Sequence, residues 1–396
     1  MIPICWKPFL NPVPPPSPNG DTVATILVPV RYLVGALRVL LSLAIALIYF
    51  ILVDVVSSAF RPIPPLYRGI TRVLTAILAR LTLFVLGFFW ISVTPVSRKR
   101  GRSAKDSLQE KWSPQPGDII VSNWVSWIEI LWLAFRFNPI FVLPIAQVSS
   151  EEMLVSSSSS PVRKTGRKTG TGSANISVPT TSASSSLSRT RVPISGFREV
   201  SLLRMIFHTG HIPPFGFDTA KKGSEKSLED IRKKNKGAGG RPIVIFPECT
   251  TSNGRALLRF ADVFGGAKAP VKGYSIFVMC VRYDAPTALS PTLTLSIPPR
   301  DQSPLLPNPV RHLFAISTSL SLTRPMSIRL LPPSESPSSP SFIVSDVLNA
   351  TTTTPINADL DSLKEVCEVL IANLGKTKRT LLTWEEKASL LELMRK

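Results

Sequence analysis

The sequence is poor in cysteine and histidine, which excludes several classes of site. Its four cysteines lie far apart, with no Cys-x-x-Cys spacing, at Cys5, Cys249, Cys280 and Cys367. A disulfide framework and a structural zinc site both need a set of cysteines at short, regular spacings, so neither is indicated. There are three histidines among 396 residues. We therefore expect a protein that faces the cytosol and holds no metal.

Charged residues are also scarce, at 18% against 44% hydrophobic, and the mean hydropathy of +0.20 favours contact with a membrane. Those charges are mostly basic: 46 Lys and Arg against 26 Asp and Glu leave a net charge of +20. This excess suits an anionic partner. The basic residues are scattered and the aromatic ones sit in apolar runs, so an acidic lipid surface or a phosphorylated substrate fits better than nucleic acid.

The first long apolar stretch predicts a membrane helix. Residues 39–53 carry no charge, and residues 37–56 number about 20, which is long enough to cross a hydrocarbon core. A Pro-rich segment, residues 1–22, precedes this stretch and carries one basic residue, Lys7. That is not the form of a cleavable signal peptide.

A second apolar stretch, residues 74–96, completes a predicted helical hairpin over residues 23–97. It is interrupted by Arg80, and the Pro-rich connector at residues 61–65 cannot stay helical. Two alternatives remain: a buried hairpin in a soluble core, and a shallow re-entrant hairpin, which Arg80 favours. Basic residues flank the outer ends and place both in the cytosol; they are Arg31, Arg38, Arg98, Lys99, Arg100 and Arg102.

Residues 111–331 alternate short apolar runs with helical patterns, which is typical of an α/β domain. Strands are predicted at residues 117–122, 140–145, 242–246, 274–283 and 326–331, and helices at 123–137, 199–208 and 227–236.

Three further segments have a composition of their own. Residues 148–190 are rich in Ser, Thr and basic residues and predict a disordered insertion. Residues 332–358 predict a Pro/Ser/Thr-rich linker. Residues 359–396 predict two helices, broken near Gly375, of which the second docks on the domain or a membrane.

Two polar segments each follow a predicted strand: SNWVSWIE at residues 122–129 and FPECTTSNG at residues 246–254. They resemble the first and third motifs of the glycerolipid acyltransferases, which include the lysophosphatidic acid acyltransferases. The resemblance spans residues 117–331, and an N-terminal membrane hairpin is also similar to the family. The TTSNG continuation and the extended tail look similar to a fungal branch linked to the endoplasmic reticulum and lipid droplets.

The resemblance implies an α/β fold with a sheet flanked by helices behind the membrane hairpin. It implies transfer of a fatty acyl chain from acyl-CoA to lysophosphatidic acid or a related lysophospholipid. Acyl-CoA is then a substrate, and no cofactor is needed. The implied partners are acyl-CoA, a lysophospholipid and a membrane, with no specific nucleic acid. The implied location is the endoplasmic reticulum membrane or the lipid droplet, with the domain in the cytosol.

The family's site residues carry over position by position. Its catalytic histidine falls on Trp124 and its aspartate on Glu129. The remaining positions are implied to bind substrate, and they are Asn123, Ser126, Glu248, Thr250, Thr251 and Arg255. For Asn123 and Ser126 helix capping is the alternative, and for Glu248 it is capping of backbone N–H groups in the turn.

The sequence departs from the family where the base should be. The indole N–H of Trp124 is a donor only, so this side chain cannot accept a proton. Glu129 keeps the carboxylate, and Cys249 stands where glycine is usual, in a turn that needs a permissive backbone. Two substitutes for the base are open: His211 or His208, and Glu129 itself if the apolar wall around it raises its pKa.

A second function from another class follows from Trp124. A relative without the base could keep the lipid-binding groove and support membrane or lipid-droplet organisation. A third function, nucleic-acid binding through the basic residues of 148–190, rests on charge alone.

Overall fold

A computed structural model describes residues 4–13, 15, 28–60, 62–99, 106–146, 191–215, 226–237, 240–287, 290–297, 308–319, 321, 323–348 and 362–395. The predicted insertion at residues 148–190 lies outside these ranges.

A seven-stranded mixed sheet forms the centre of the molecule, in the order β1-β8-β7-β2-β5-β3-β4. Its members are β1 Ser92–Pro95, β2 Ile119–Ser122, β3 Ile140–Ala146, β4 Ile194–Val200, β5 Ile243–Ile245, β7 Ile276–Tyr283 and β8 Met326–Leu330. Strands β7, β2, β5 and β3 run parallel, and β4 and β8 pair antiparallel at either side. Two short strands, β6 Ala256–Leu257 and β9 Lys378–Arg379, pair separately.

Helices cover both faces of this sheet, as expected of an α/β domain. They are α1 Val28–Tyr49, α2 Pro64–Val85, α3 Ile128–Phe137, α4 Leu202–Phe207, α5 Leu228–Asn235, α6 Asn308–Ser317, α7 Val344–Leu348, α8 Leu363–Gly375 and α9 Trp384–Arg395. Alternate residues of β2 point to opposite faces, as the pleat requires. Ile120 packs with the hairpin helices, α3 and α6. Ile119 and Val121 pack with α8 on the other face.

Five predicted strands are found at their predicted places, within three residues. Two predicted helices differ. The helix predicted from residue 123 begins at Ile128, and residues 123–127 form a loop. Residues 194–200 form β4, which was predicted in part as helix, because their backbone groups pair with β3. Helix α4 then occupies only the remainder of that prediction.

The second helix of the hairpin is shifted from its predicted place at residues 74–96. It begins at Pro64, since proline is well suited to the first turn of a helix, and it ends at Val85. The chain then turns at Gly87 and enters the sheet as β1, so the α/β domain starts ahead of residue 111. Arg80 donates to the carbonyls of Phe88 and Phe89, at 2.9 and 2.7 Å, and caps this turn.

Helix α1 continues through a π-helical and a 3-10 segment to Phe60. In the described part of the chain, Val28–Phe60 is the one helix long and apolar enough to span a membrane, and 22% of its most apolar window is buried. The two-helix hairpin thus contains a single candidate span.

The start of α1 is fastened to the carboxyl end of α6. Arg31 and Arg38 donate to the carbonyls of Thr318 and Ser317. Cations at a helix carboxyl terminus satisfy its unpaired carbonyls and oppose its dipole. These two arginines, predicted to flank a membrane helix, therefore also hold α1 on the α/β domain.

The described part of the predicted linker is packed, which differs from the linker predicted over residues 332–358. Ser338 accepts a hydrogen bond from Ile276 N at 2.9 Å, and Ser336 donates to Ile276 O. The backbone N–H of Arg98 donates to Glu335 at 2.7 Å. The two serine hydroxyls take the place of a neighbouring strand's backbone at the start of β7, and this explains why a polar segment is ordered here.

The two tail helices form as predicted, with a break after Gly375. Helix α9 docks on the domain, where Leu390 packs against Phe9, Leu258 and Ile297.

Candidate functional site

The two motifs meet at the carboxyl ends of β2 and β5. These strands are neighbours and run parallel, so the loops that follow them emerge side by side. The backbone N–H of Trp124 donates to the Glu248 carboxylate at 3.1 Å, and Ser252 N donates to Trp124 O at 3.0 Å. Segments more than 120 residues apart in sequence are thereby joined into one site.

Glu248 is fully buried and joins these loops through hydrogen bonds. One carboxylate oxygen accepts from Trp124 N and the other from Leu258 N at 3.0 Å. Burial raises the pKa of Glu248 to about 8, against the opposing effect of these hydrogen bonds and of Lys387. Both oxygens are used by backbone N–H groups, so the capping role is the one that the structure displays.

Glu129 lies in the first turn of α3 and is also fully buried. Its Oε1 accepts from the N–H groups of Val125 and Ser126, each at 2.6 Å. Its Oε2 accepts from the Tyr283 hydroxyl at 2.5 Å. Burial outweighs these bonds and raises the pKa of Glu129 to about 7. A carboxyl with a pKa near neutrality is suited to general acid–base chemistry.

Trp124 lies in the loop between β2 and α3. Its ring is fully buried and stacks on Phe246, with centroids 5.1 Å apart, and lies 6.4 Å from Phe215. Its Nε1 has no hydrogen-bond partner among the described residues. The indole is therefore held by apolar packing.

Lys387 is a site residue that the sequence analysis missed. It comes from α9 and is fully buried, and its ammonium donates to Thr250 Oγ1 at 2.7 Å and to Thr251 O at 2.8 Å. Burial lowers the pKa of Lys387 well below its usual value, although the Glu248 charge acts in the opposite direction. A signal was present, since Lys387 lies one turn from Trp384 and Leu391 on the apolar stripe of the tail helix.

Thr250 and Thr251, in the segment at residues 246–254, are buried and already form hydrogen bonds. Thr250 Oγ1 donates to the carbonyl of His211 at 2.8 Å, and Thr251 Oγ1 donates to Ser296 O at 3.3 Å. The site brings the backbone of His211 to Thr250, while the His211 side chain is exposed. His208 lies beside it, with ring centroids 6.3 Å apart, and burial lowers the pKa of His208 to about 4.

The other predicted residues lie in three different environments. The Asn123 amide exchanges two hydrogen bonds with the backbone of Val281, at 2.9 and 2.7 Å, and extends the pairing of β2 with β7. Ser126 is buried in the loop before α3, and Arg255 is exposed beyond the turn. Asn123 is thus a strand partner more than a helix cap.

Cys249 adopts a left-handed backbone with φ of 55°. The sequence predicted a turn that favours glycine at this position, and the dihedral angle agrees with that prediction. For a residue with a side chain this conformation costs roughly 1–2 kcal/mol.

An apolar cavity of about 110 Å³ adjoins the site. Its walls come from α1, α2, α3, α4 and α6, and Trp127 forms part of the lining. The Trp127 indole donates to His312 Nδ1 at 2.9 Å, and His312 Nε2 donates to Thr292 O at 2.9 Å. This chain of hydrogen bonds fixes the orientation of Trp127 in the cavity wall.

Comparison with protein-family models, with curated proteins and with solved structures finds no match to this chain. In the described ranges no three His, Cys, Asp or Glu side chains are grouped so as to hold a metal ion.

Proposed function

We propose that the protein is a membrane-associated acyltransferase, which moves a fatty acyl chain from acyl-CoA to the hydroxyl of lysophosphatidic acid or a related lysophospholipid. One observation carries the proposal: the motifs at residues 122–129 and 246–254 meet at the carboxyl ends of two adjacent parallel strands. Ligands in open α/β sheets bind at this end of the strands.

Glu129 is the group that we propose as the base. Its pKa near 7 allows it to take the hydroxyl proton of the acceptor at neutral pH. The acceptor oxygen bonds to the carbonyl carbon of the thioester, the C–S bond breaks, and the proton passes to the departing sulfur, so that CoA leaves as the free thiol. The apolar cavity beside Trp127 supports the proposal because its walls provide a place for part of an acyl chain next to the site. We place the protein in the endoplasmic reticulum membrane or on lipid droplets with its α/β domain in the cytosol, by the resemblance to the fungal branch.

A second function is favoured by a specific observation. Trp124, Glu129, Glu248, Thr250 and Thr251 are all fully buried and packed or bonded to each other and to their neighbours. A substrate reaches them only after these side chains move. In this second proposal the fold has given up catalysis and binds lipid, in support of membrane or lipid-droplet organisation.

The deciding experiment measures transfer of labelled oleoyl-CoA to lysophosphatidic acid by the full chain in detergent. Native protein is compared with Glu129→Gln and Trp124→His, and thermal unfolding is recorded for each. The control is Glu392→Gln, at an exposed position of α9. Activity in the native protein that is lost in Glu129→Gln, at unchanged unfolding temperature, supports the enzyme.

Two other results decide against it. No transfer by the native protein together with transfer by Trp124→His means that the substrate site is kept and the chemistry is lost. No transfer by either, with both proteins folded, refutes an acyltransferase site at these motifs.

A further inference from the structure

Two adjoining cavities lie between α2 and the edge of the sheet where β2 and β5 begin. The larger, which we call the basic cavity, has a volume of about 660 Å³. No acidic side chain of the described residues lines it. Its cationic side chains come from α2, from the segment before β2 and from the end of α3, and they are Arg68, Arg72, Lys111 and Arg136.

Three of the four cationic side chains of this cavity have no ionic partner in the described part of the chain. Within the described ranges, Arg72, Lys111 and Arg136 take part in no ion pair, and all three are exposed. Like charges gathered round one space repel each other and attract a counter-ion of matching shape. Guanidinium groups bind phosphate through paired N–H donors, so a phosphate fits this cavity best.

The smaller cavity, of about 380 Å³, adds aromatic walls to the basic one. The two share Lys111, Trp112, Arg136 and Phe137, and the smaller is also lined by Trp90, which is 85% exposed. Next to them α2 presents a row of exposed apolar side chains to the outside, and these are Val73, Ile77, Leu81 and Phe84.

A cationic cavity, an exposed tryptophan and an apolar helix face are the parts of a site at a membrane surface. Tryptophan prefers the level of lipid headgroups, and exposed apolar faces of this extent mark a membrane or partner contact. Basic groups between such helices and a membrane surface attract anionic headgroups. A free phosphate ion would use the cations alone and leave Trp90 and the apolar face without a role.

We propose that the basic cavity binds the phosphate of an anionic membrane lipid, whose chains lie against Trp90 and the outer face of α2. The cavity lies at the opposite end of the strands from Glu129 and Glu248, because Pro116 and Pro242 in its lining precede β2 and β5. The proposal is therefore independent of acyl transfer, and it predicts a lipid that stays bound while the candidate site is empty.

The test uses the full chain in detergent and calorimetric titration with dioctanoyl phosphatidic acid, dioctanoyl phosphatidylcholine and inorganic phosphate. The variant combines Arg72→Ala, Lys111→Ala and Arg136→Ala. The matched control combines Lys268→Ala, Lys272→Ala and Lys378→Ala, which removes the same charge at exposed positions outside both cavities. We expect phosphatidic acid to bind about tenfold more weakly to the variant, and the control to stay within about twofold of the native protein.

A further variant distinguishes the lipid from the free ion. We expect Trp90→Ala to weaken binding of phosphatidic acid and to leave inorganic phosphate unchanged. Equal affinity for phosphatidic acid and phosphatidylcholine overturns the proposal, and so does unchanged binding by the triple variant. Inorganic phosphate that binds as well as phosphatidic acid, with no effect of Trp90→Ala, also overturns the lipid assignment. If the triple variant unfolds, Arg72→Ala alone, checked by its unfolding temperature, gives the same comparison with a smaller loss.

Discussion

Replacement of Glu248 by glutamine tests whether this carboxylate holds the two motif loops together. Unfolding is measured above pH 8, the approximate pKa of Glu248, so that both of its oxygens are ionised acceptors. They bond to the buried backbone N–H groups of Trp124 and Leu258. A glutamine side chain has one oxygen, and its amide nitrogen would face the second N–H donor. One buried N–H group is then left without an acceptor, which costs about 1–3 kcal/mol.

This cost gives a measurable shift of the unfolding temperature. With about 2–4 °C per kcal/mol for domains of 150–250 residues, a loss of about 2 kcal/mol lowers the midpoint by roughly 4–8 °C. Glu248→Ala orphans both N–H groups and opens a cavity, so we expect about twice that shift. Thermal unfolding in detergent measures the total, and hydrogen exchange of peptides that contain residues 124 and 258 measures the local effect.

Glu392→Gln is the matched control, because it makes the same chemical change on the exposed side of α9. Its midpoint should stay within about 1 °C of the native value. If Glu248→Gln unfolds at the native temperature and residues 124 and 258 exchange no faster, then Glu248 does not brace the loops, and contact with a substrate becomes its better explanation.

Three further predictions follow from the geometry. Gly35→Ala places a Cβ 2.5 Å from Thr318 Cγ2 and 2.9 Å from Thr318 Cα, so thermal unfolding should show a loss of stability of about 1–3 kcal/mol. The control Gly69→Ala, whose Cβ has nothing within 4 Å, should be neutral or stabilising. Equal unfolding midpoints of the two variants would contradict the docking of α1. The pKa of Glu129 is raised from 4.5 to about 7, so its contribution to stability is full below pH 4.5. This contribution falls by about 3 kcal/mol as the pH rises to 7. Unfolding curves of Glu129→Gln should lack that fall. Cys249→Gly relieves a left-handed residue but removes a buried side chain, so chemical unfolding should give a change within about 1 kcal/mol, and a large loss would show that packing of the thiol dominates.

The strands and the polar segments that follow them were predictable because they depend on local patterns. Runs such as residues 117–122 and 242–246 are apolar throughout, which is typical of strands covered on both faces. Polar segments that directly follow two such strands are brought together once the strands are parallel neighbours. Predicting the positions of the strands and of the polar segments after them needs no knowledge of distant partners.

The errors occur where a distant partner overrides the local pattern. Residues 194–200 pair with β3, and Ser336 and Ser338 bond to the start of β7, so a polar segment became ordered. The apolar stretch that runs to residue 96 predicted too late an end for α2, where the guanidinium of Arg80 binds carbonyls eight and nine residues further on. Lys387 could not be assigned to the site, because a lysine on an apolar stripe does not reveal which loop will accept its hydrogen bonds.

The contact of Lys387 with Thr250 and Thr251 forms late in the synthesis of the chain. The loop after β5 emerges from the ribosome 136 residues before the ammonium group that satisfies it. Domains generally fold as units, so this loop gains its last hydrogen-bond donor only after the tail helix has been synthesised. A nascent chain that stops short of residue 387 leaves Thr250 Oγ1 and Thr251 O without this donor.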